Sequence, residues 1–335
     1  MLHWAQRTAR TLRRNGNSGR NGSGRESAAR RPRRDFSTPR ARHENRVAYV
    51  FLTPWLIGMV VFAIGPMLIS LYLSFTRYDL FTEPVWTGLD NYTRMLFRDT
   101  RWRASLEVTS TFVLWTVPLR LVFALAVAMV LNRALRGVSL YRAIYYLPSL
   151  LGGSVAIAIL WRQVFGSQGL LNQVLAPLGL PTTSWIANPD TALSTLIVLG
   201  VWQFGSPMII FLAGLKQIPK ELYEAAQIDG ASKLAMFFRI TVPLLTPIIF
   251  FNLIMQMISS FQSFTPAFII SGGSGGPANS TLFYTLYLYQ QAFSSFRMGY
   301  AAALAWTLVL IIALFTVVNF VASRYWVFYQ DEGRK

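Results

Sequence analysis

The sequence predicts an all-α membrane protein with six transmembrane helices. Two observations carry this. Of 335 residues, 53% are hydrophobic and only 13% charged. The charges also leave six windows nearly clear, and each window is long enough for the roughly 20 apolar residues that a spanning helix needs. There is no cysteine, so a disulfide framework and a Cys metal site are excluded. The two histidines, His3 and His43, both lie in a polar N-terminal arm, which excludes a His-built site inside the membrane.

The arm covers residues 1–46. Thirteen of the 31 basic residues lie in residues 1–48, and all thirteen are Arg. Mixed with Gly, Ser, Asn and Pro and without apolar periodicity, this stretch reads as disordered. Anionic lipid headgroups are its nearest partner, and nucleic acid is not one. Arg33-Arg34-Asp35-Phe36 looks a little like a twin-arginine signal. A polar stretch separates it from an apolar run too long for a signal peptide, so that run reads as a retained helix.

The first span runs over about Tyr49–Phe75, the second over about Leu106–Leu131, and the third over about Ile144–Val164. The fourth covers about Ala192–Leu215, the fifth about Val242–Ile270, and the sixth about Tyr300–Ser323. Ser, Gln and Pro in the fifth predict a bent or broken helix. With the arm inside, the arm, the loops on its side and the tail 324–335 together hold 23 Lys or Arg, against 7 on the other side. The remaining one, Arg120, lies within the second span. The positive-inside rule then places both termini in the cytoplasm. Trp86, Trp102 and Trp185 in outer loops fit interfacial anchors. The Gly272–Pro277 run is a flexible outer turn and not a phosphate loop, because no Gly-Lys-Ser/Thr follows it.

Residues 216–240 form a polar island between the fourth and fifth spans. Pro219 suits a first helical turn. Leu222, Ala225, Ala226 and Asp229 share one face by helical spacing, and Lys220 and Glu224 are four apart. Gly230 can reverse the chain, and Ser232 can cap a second short helix. The residues alone fit either a plain interfacial connector or a platform for a soluble partner.

The string Ile218-Pro-x-Glu-Leu-Tyr-Glu-Ala-Ala-x-x-Asp-Gly-Ala-Ser, with Phe237, Ile240-Thr241 and Pro243 after it, resembles the "EAA" loop of carbohydrate-type ABC importer permeases. The resemblance covers residues 47–323, including Thr53-Pro54-Trp55, Leu73-Ser74-Phe75-Thr76, Tyr141-Arg142, Leu147-Pro148 and Gly275-Gly276-Pro277. Gly88-Leu89-Asp90-Asn91-Tyr92 is similar to the first of the two paired permeases. Leu234 and Val242 depart from the pattern as apolar swaps, and the Arg-rich arm has no counterpart in it.

The resemblance implies a non-catalytic subunit of a type I importer in a bacterial plasma membrane. It implies that Glu224, Ala225, Ala226, Asp229 and Gly230 couple to an ATPase. Implied partners are a second permease, two ATPase subunits that carry ATP and magnesium, and an extracytoplasmic binding protein that delivers a sugar. This chain itself would bind no cofactor.

Polar groups within spans are costly and mark pathways or helix contacts. Asn252, Gln256, Ser259 and Ser263 form one stripe of the fifth span, with Ser260 beside it. Amides and hydroxyls suit a polyhydroxylated solute, Gln203 of the fourth span can join them, and Phe261, Phe264 or Tyr284 could stack on a sugar. Helix–helix hydrogen bonding is the competing role. Arg120, near mid-span, fits a bundle interior or a subunit interface. An ion-driven transporter would need membrane-embedded carboxylates, and the windows hold essentially none beyond Glu107 at an edge. No buried carboxylate pair, His cluster or nucleophile–base set points to an enzyme.

Overall fold

The computed structural model describes residues 39–133 and 137–328. The readings of residues 1–38 as a disordered arm and of the tail beyond Phe328 lie outside the described residues. Two compact units divide between Val61 and Phe62. In the first, helix α1 (Pro39–Met59) takes in residues 39–46, which the sequence assigned to the arm. Its first residue is a proline, whose fixed φ and missing N–H suit a helix start.

The second unit begins in a π-helical turn and continues as α2 (Gly65–Ser74). Strands β1 (Thr76–Arg77) and β2 (Val85–Trp86) pair antiparallel in a small hairpin that the sequence reading lacked. Then come α3 (Asp90–Arg98), α4 (Thr100–Leu131), α5 (Val138–Leu151), α6 (Val155–Phe165) and α7 (Leu170–Leu175). After them follow α8 (Pro189–Trp202), α9 (Gly205–Leu215), α10 (Lys220–Ile228), α11 (Lys233–Met236) and α12 (Val242–Phe261). The order ends with α13 (Thr265–Ile270), α14 (Tyr284–Tyr289) and α15 (Met298–Trp326).

Five runs among the described residues are long and apolar enough to cross a membrane: Tyr49–Ser74, Thr100–Leu131, Pro189–Leu215, Lys233–Ile270 and Met298–Trp326. A sixth crossing exists if α5 and the segment from Val155 to Leu178 count as one, and these are bent by 95° to each other. The third window is therefore not a straight span. It breaks at Gly152-Gly153, where Ser154 caps α6 by accepting the Ile157 N–H. The fourth breaks between Trp202 and Gly205. The fifth is broken, as its Ser, Gln and Pro predict, and the break falls between Phe261 and Thr265, after a π turn at Phe237–Thr241.

Helix α4 is the centre of the packing and lies against α8, α9 and α12. Its buried face is Phe112, Val113, Val117, Leu121, Ala124 and Ala128, and it meets Leu196, Leu199, Met208, Phe211, Leu245 and Ile254. The alanines let helices approach closely where the bilayer supplies no hydrophobic drive between them. Trp102, expected as a surface anchor, is buried instead and donates to Tyr284 Oη at 3.3 Å.

That tryptophan belongs to a polar clasp that joins the N-terminal end of α4 to α14 and the start of α15. Asp99 caps α4 by accepting the Trp102 N–H at 3.0 Å. Its other oxygen accepts the hydroxyls of Tyr287 and Tyr300, each at 2.5 Å. Arg101 lies over the Tyr287 ring and Arg94 over the Tyr300 ring. Burial pushes the Asp99 carboxyl up, but the two tyrosine hydroxyls and the Trp102 N–H outweigh it and hold the group below its ordinary value. A carboxyl lowered by folding stabilises above its unfolded pKa, and that contribution is lost as pH falls through the folded value. Asp99→Asn should therefore lower the unfolding midpoint in detergent at neutral pH, by an amount on the order of 1–2 kcal/mol. It should also weaken the wild-type loss of stability below about pH 4. An unchanged neutral midpoint would show that the clasp does not hold these helices.

Candidate functional site

Two features lie along one path through the second unit. The first is a cavity of about 210 Å³ among α4, α8, α12 and the breaks that follow α8 and α12. Of the sequence-predicted residues, Gln203, Ser259, Ser260 and Ser263 line it. Their placement follows from the breaks. Gln203 ends α8 outside regular helix, so its side chain can donate to Gly152 O at 3.2 Å while its carbonyl accepts Ser149 Oγ at 2.9 Å. Ser263 follows the end of α12, and its carbonyl accepts Thr285 Oγ1.

Gln256 is not a wall residue. Its Oε1 accepts Arg120 Nη1 at 2.5 Å, which places it behind the cavity as a support for the arginine. Asn252 lies deeper, at 0% exposure, with neither amide atom hydrogen-bonded. The stripe of polar residues on α12 therefore splits into cavity wall, support and a buried orphan.

Arg120 lies in the bundle interior, 7% exposed, and lines the cavity. Its Nε donates to Gly200 O at 2.6 Å. Gly200 allows this contact: a Cβ there would fall 2.5 Å from Thr116 Cγ2 and 3.3 Å from Arg120 Nη2. The aromatic prediction needs correction. Phe264 lines the cavity, but Phe261 and Tyr284 are fully buried in the core, where Tyr284 Oη donates to Leu304 O. Phe112 and Phe283 stand in the wall in their place, with centroids 4.7 Å apart. Their neighbours in sequence carry no polar periodicity, so only the packing finds them. Arg120 did carry a signal, as a lone charge in an apolar span.

The second feature is the island of residues 216–240. Helix α10 ends at Asp229, and Gly230 follows at φ 77°, with the Ala231 N–H donating to Ala226 O at 2.9 Å. That left-handed geometry strains any residue with a Cβ. Ser232 caps α11 by accepting the Ala235 N–H at 3.2 Å. Glu224, Ala225, Asp229 and Gly230 are exposed, while Ala226 is half-buried beside Tyr223 on the inward face. The sequence reading placed both alanines on one face with Leu222 and Asp229; of these four only Ala226 is partly covered. Ile228 is 87% exposed and Leu234 68%, so the turn presents apolar as well as acidic groups to solvent. The Tyr223 and Thr241 hydroxyls are hydrogen-bonded at 2.9 Å, which ties α10 to the π turn that leads into α12.

Among the described residues no group of three His, Cys, Asp or Glu side chains could hold a metal ion. An orphan amide in a membrane interior costs about 1–3 kcal/mol relative to an apolar group of similar shape. Asn252→Val should therefore raise the thermal unfolding midpoint in detergent. A lowered midpoint would show that the amide has a partner in the folded protein.

Residues 120–327 match the model of the binding-protein-dependent transport system inner membrane component. The chain is 54% identical over 292 residues to the probable ABC transporter permease protein YesP of Bacillus subtilis (strain 168), covering 87% of this chain and 94% of that one. It is 33% identical over 282 residues to the lactose transport system permease protein LacF of Rhizobium radiobacter, covering 82% and 93%. The fold also matches a chain of the crystal structure of a bacterial alginate ABC transporter in complex with an alginate pentasaccharide-bound periplasmic protein. There the TM-score is 0.70 at 23% identity, with 84% of this chain and 95% of that one covered.

Proposed function

The chain belongs to the inner-membrane components of binding-protein-dependent transport systems and is a multi-pass permease subunit of an ABC importer; from that premise we propose how its two sites work and what it carries. The solute is a sugar or a related polyhydroxy compound. It passes along Gln203, Ser259, Ser260 and Ser263, while Gln256 holds Arg120 beside them. The names of relatives such as the lactose permease favour this class, as do the hydroxyl and amide groups of the cavity wall.

The helix-turn-helix at 216–240 is the docking element for an ATPase, and the observation that carries this is its exposure. Glu224, Ala225, Asp229, Gly230 and the apolar Ile228 stand free at a rigid left-handed turn. Displacement of that turn reaches the cavity through covalent structure and one hydrogen bond. Tyr223 holds Thr241, and α12 runs from Val242 to the serines of the cavity wall. An ATPase that closes on ATP can thus tilt the fifth span without any nucleotide on this chain. The complex has a second, similar permease, two ATPase subunits that bind ATP and magnesium, and an extracytoplasmic binding protein. It sits in the bacterial inner membrane with both termini of this chain in the cytoplasm.

Pull-down from native membranes in mild detergent tests this reading. Wild-type protein should bring down a P-loop ATPase and a second permease. Gly230→Asp strains the turn by about 1–2 kcal/mol and should lose most of the ATPase. Ile228→Asp, at an exposed position, leaves the helix intact and should lose it too. Retention by both variants would overturn the docking assignment. Uptake that continues with ATP depleted and an ion gradient held would overturn the importer mechanism as a whole.

A further inference from the structure

Arg120 carries more charge than its structural role needs. A guanidinium offers five N–H donors. Gly200 O and Gln256 Oε1 take two of them, and both acceptors are neutral. No carboxylate among the described residues lies in the interior of a span. The nearest along α4 is Glu107, thirteen residues and about 20 Å away by helical rise. A neutral donor could satisfy the Gly200 carbonyl, so a fixed cation at this depth is unexplained by the fold.

The surroundings hold no counter-ion for Arg120 among the described residues, but they do hold hydroxyls with unused hydrogen-bonding capacity. Ser260 Oγ and Thr116 Oγ1 are buried without any hydrogen-bond partner. Ser260 lines the same cavity as Arg120. Thr116 is one helical turn from Arg120 on α4, on the same face. A hydroxyl can rotate to donate to whatever enters. Ser259 and Ser263 add two more hydroxyls to the wall, and Phe264 and Phe283 supply apolar surface. A neutral sugar could hydrogen-bond both the hydroxyls and the guanidinium, but it brings no counter-charge to the buried cation. A carboxylate satisfies both, because it accepts Arg N–H groups in a fork and hydroxyl donors beside them.

Resting on the importer reading above, we propose that the Arg120 cavity is an anion subsite and that the transported solute is an acidic saccharide of the uronic acid class. Arg120 pairs with the carboxylate, Ser260 and Thr116 donate to it, and Gln256 holds the guanidinium in place.

The test is ATP-driven uptake by the complete importer in proteoliposomes, including its binding protein. One arm supplies uronate oligosaccharides from pectin and alginate digests, the other neutral oligosaccharides from galactan and starch digests. Wild-type uptake should come from the acidic arm, and that comparison stands without any variant. Arg120→Gln should reduce it at least tenfold, and Arg120→Lys, which keeps the charge, should restore part of it. Co-purification of the ATPase with each variant shows that it has assembled. Uptake from the neutral arm alone, from neither arm, or undiminished acidic uptake by an assembled Arg120→Gln complex each overturns the proposal. Neutral ATP-dependent uptake would leave the importer reading standing. Loss of all ATP-dependent uptake together with absence of a co-purifying ATPase would remove both.

Discussion

The hydrogen bond from Arg120 to the Gly200 carbonyl holds together a bundle whose helices are broken where they should be continuous. In a membrane interior every backbone polar group must find a partner within the protein. A break in a span frees such groups, and this chain has breaks at Gln203 and at Gln262, close in space. The compensation is local and complete around the first. Arg120 takes the Gly200 carbonyl, Ser149 takes that of Gln203, and Gln203 takes that of Gly152. Thr285 does the same for Ser263 at the second. The cavity exists because helix is missing at both places, and it is stable because side chains replace the lost ladder.

This arrangement also links the two ends of the path. Helix α12 starts next to the exposed turn and ends at the serines of the cavity. A rigid helix passes a displacement from one end to the other, and the Tyr223–Thr241 contact couples the turn to its first residues. A π turn at Phe237–Thr241 forms the junction, and on the docking reading proposed above it lies where a displacement would enter α12.

Much of this was legible in the sequence, for definite reasons. The apolar windows are set by bilayer thickness, so the ends of spans one, four and six were readable to within about three residues, while the second and fifth begin earlier, at Thr100 and Lys233. The turn at Gly230 and the cap at Ser232 are local chemistry and came through directly. Gln203, Ser259, Ser260 and Ser263 were found because polar groups in apolar spans stand out. What was not legible depended on tertiary contact. The bend at Gly152-Gly153 looks like ordinary apolar sequence until Gln203 packs against it. The roles of Phe112 and Phe283, and the burial of Tyr284 and Trp102, are decided by neighbours more than 170 residues apart in the chain. The inward turn of Ala226 follows from the Tyr223 anchor, which spacing alone does not reveal.

The state of hydrogen-bond satisfaction separates the two polar clusters inside this fold. At the Asp99 clasp, the carboxylate accepts from two tyrosine hydroxyls and a backbone N–H, and cations cover the tyrosine rings. Nothing there is left open, and its contribution is to hold three helix ends together. Around Arg120 the balance is reversed: Thr116, Ser260 and Asn252 are buried with unused polar atoms, beside a cation with only neutral partners. Each orphan costs about 1–3 kcal/mol, so the cluster is a net burden on the fold of the isolated chain. A stability argument therefore accounts for Asp99 and fails for Arg120. Of these groups Arg120 and Ser260 line the cavity, where an occupant of the proposed kind would offset their cost.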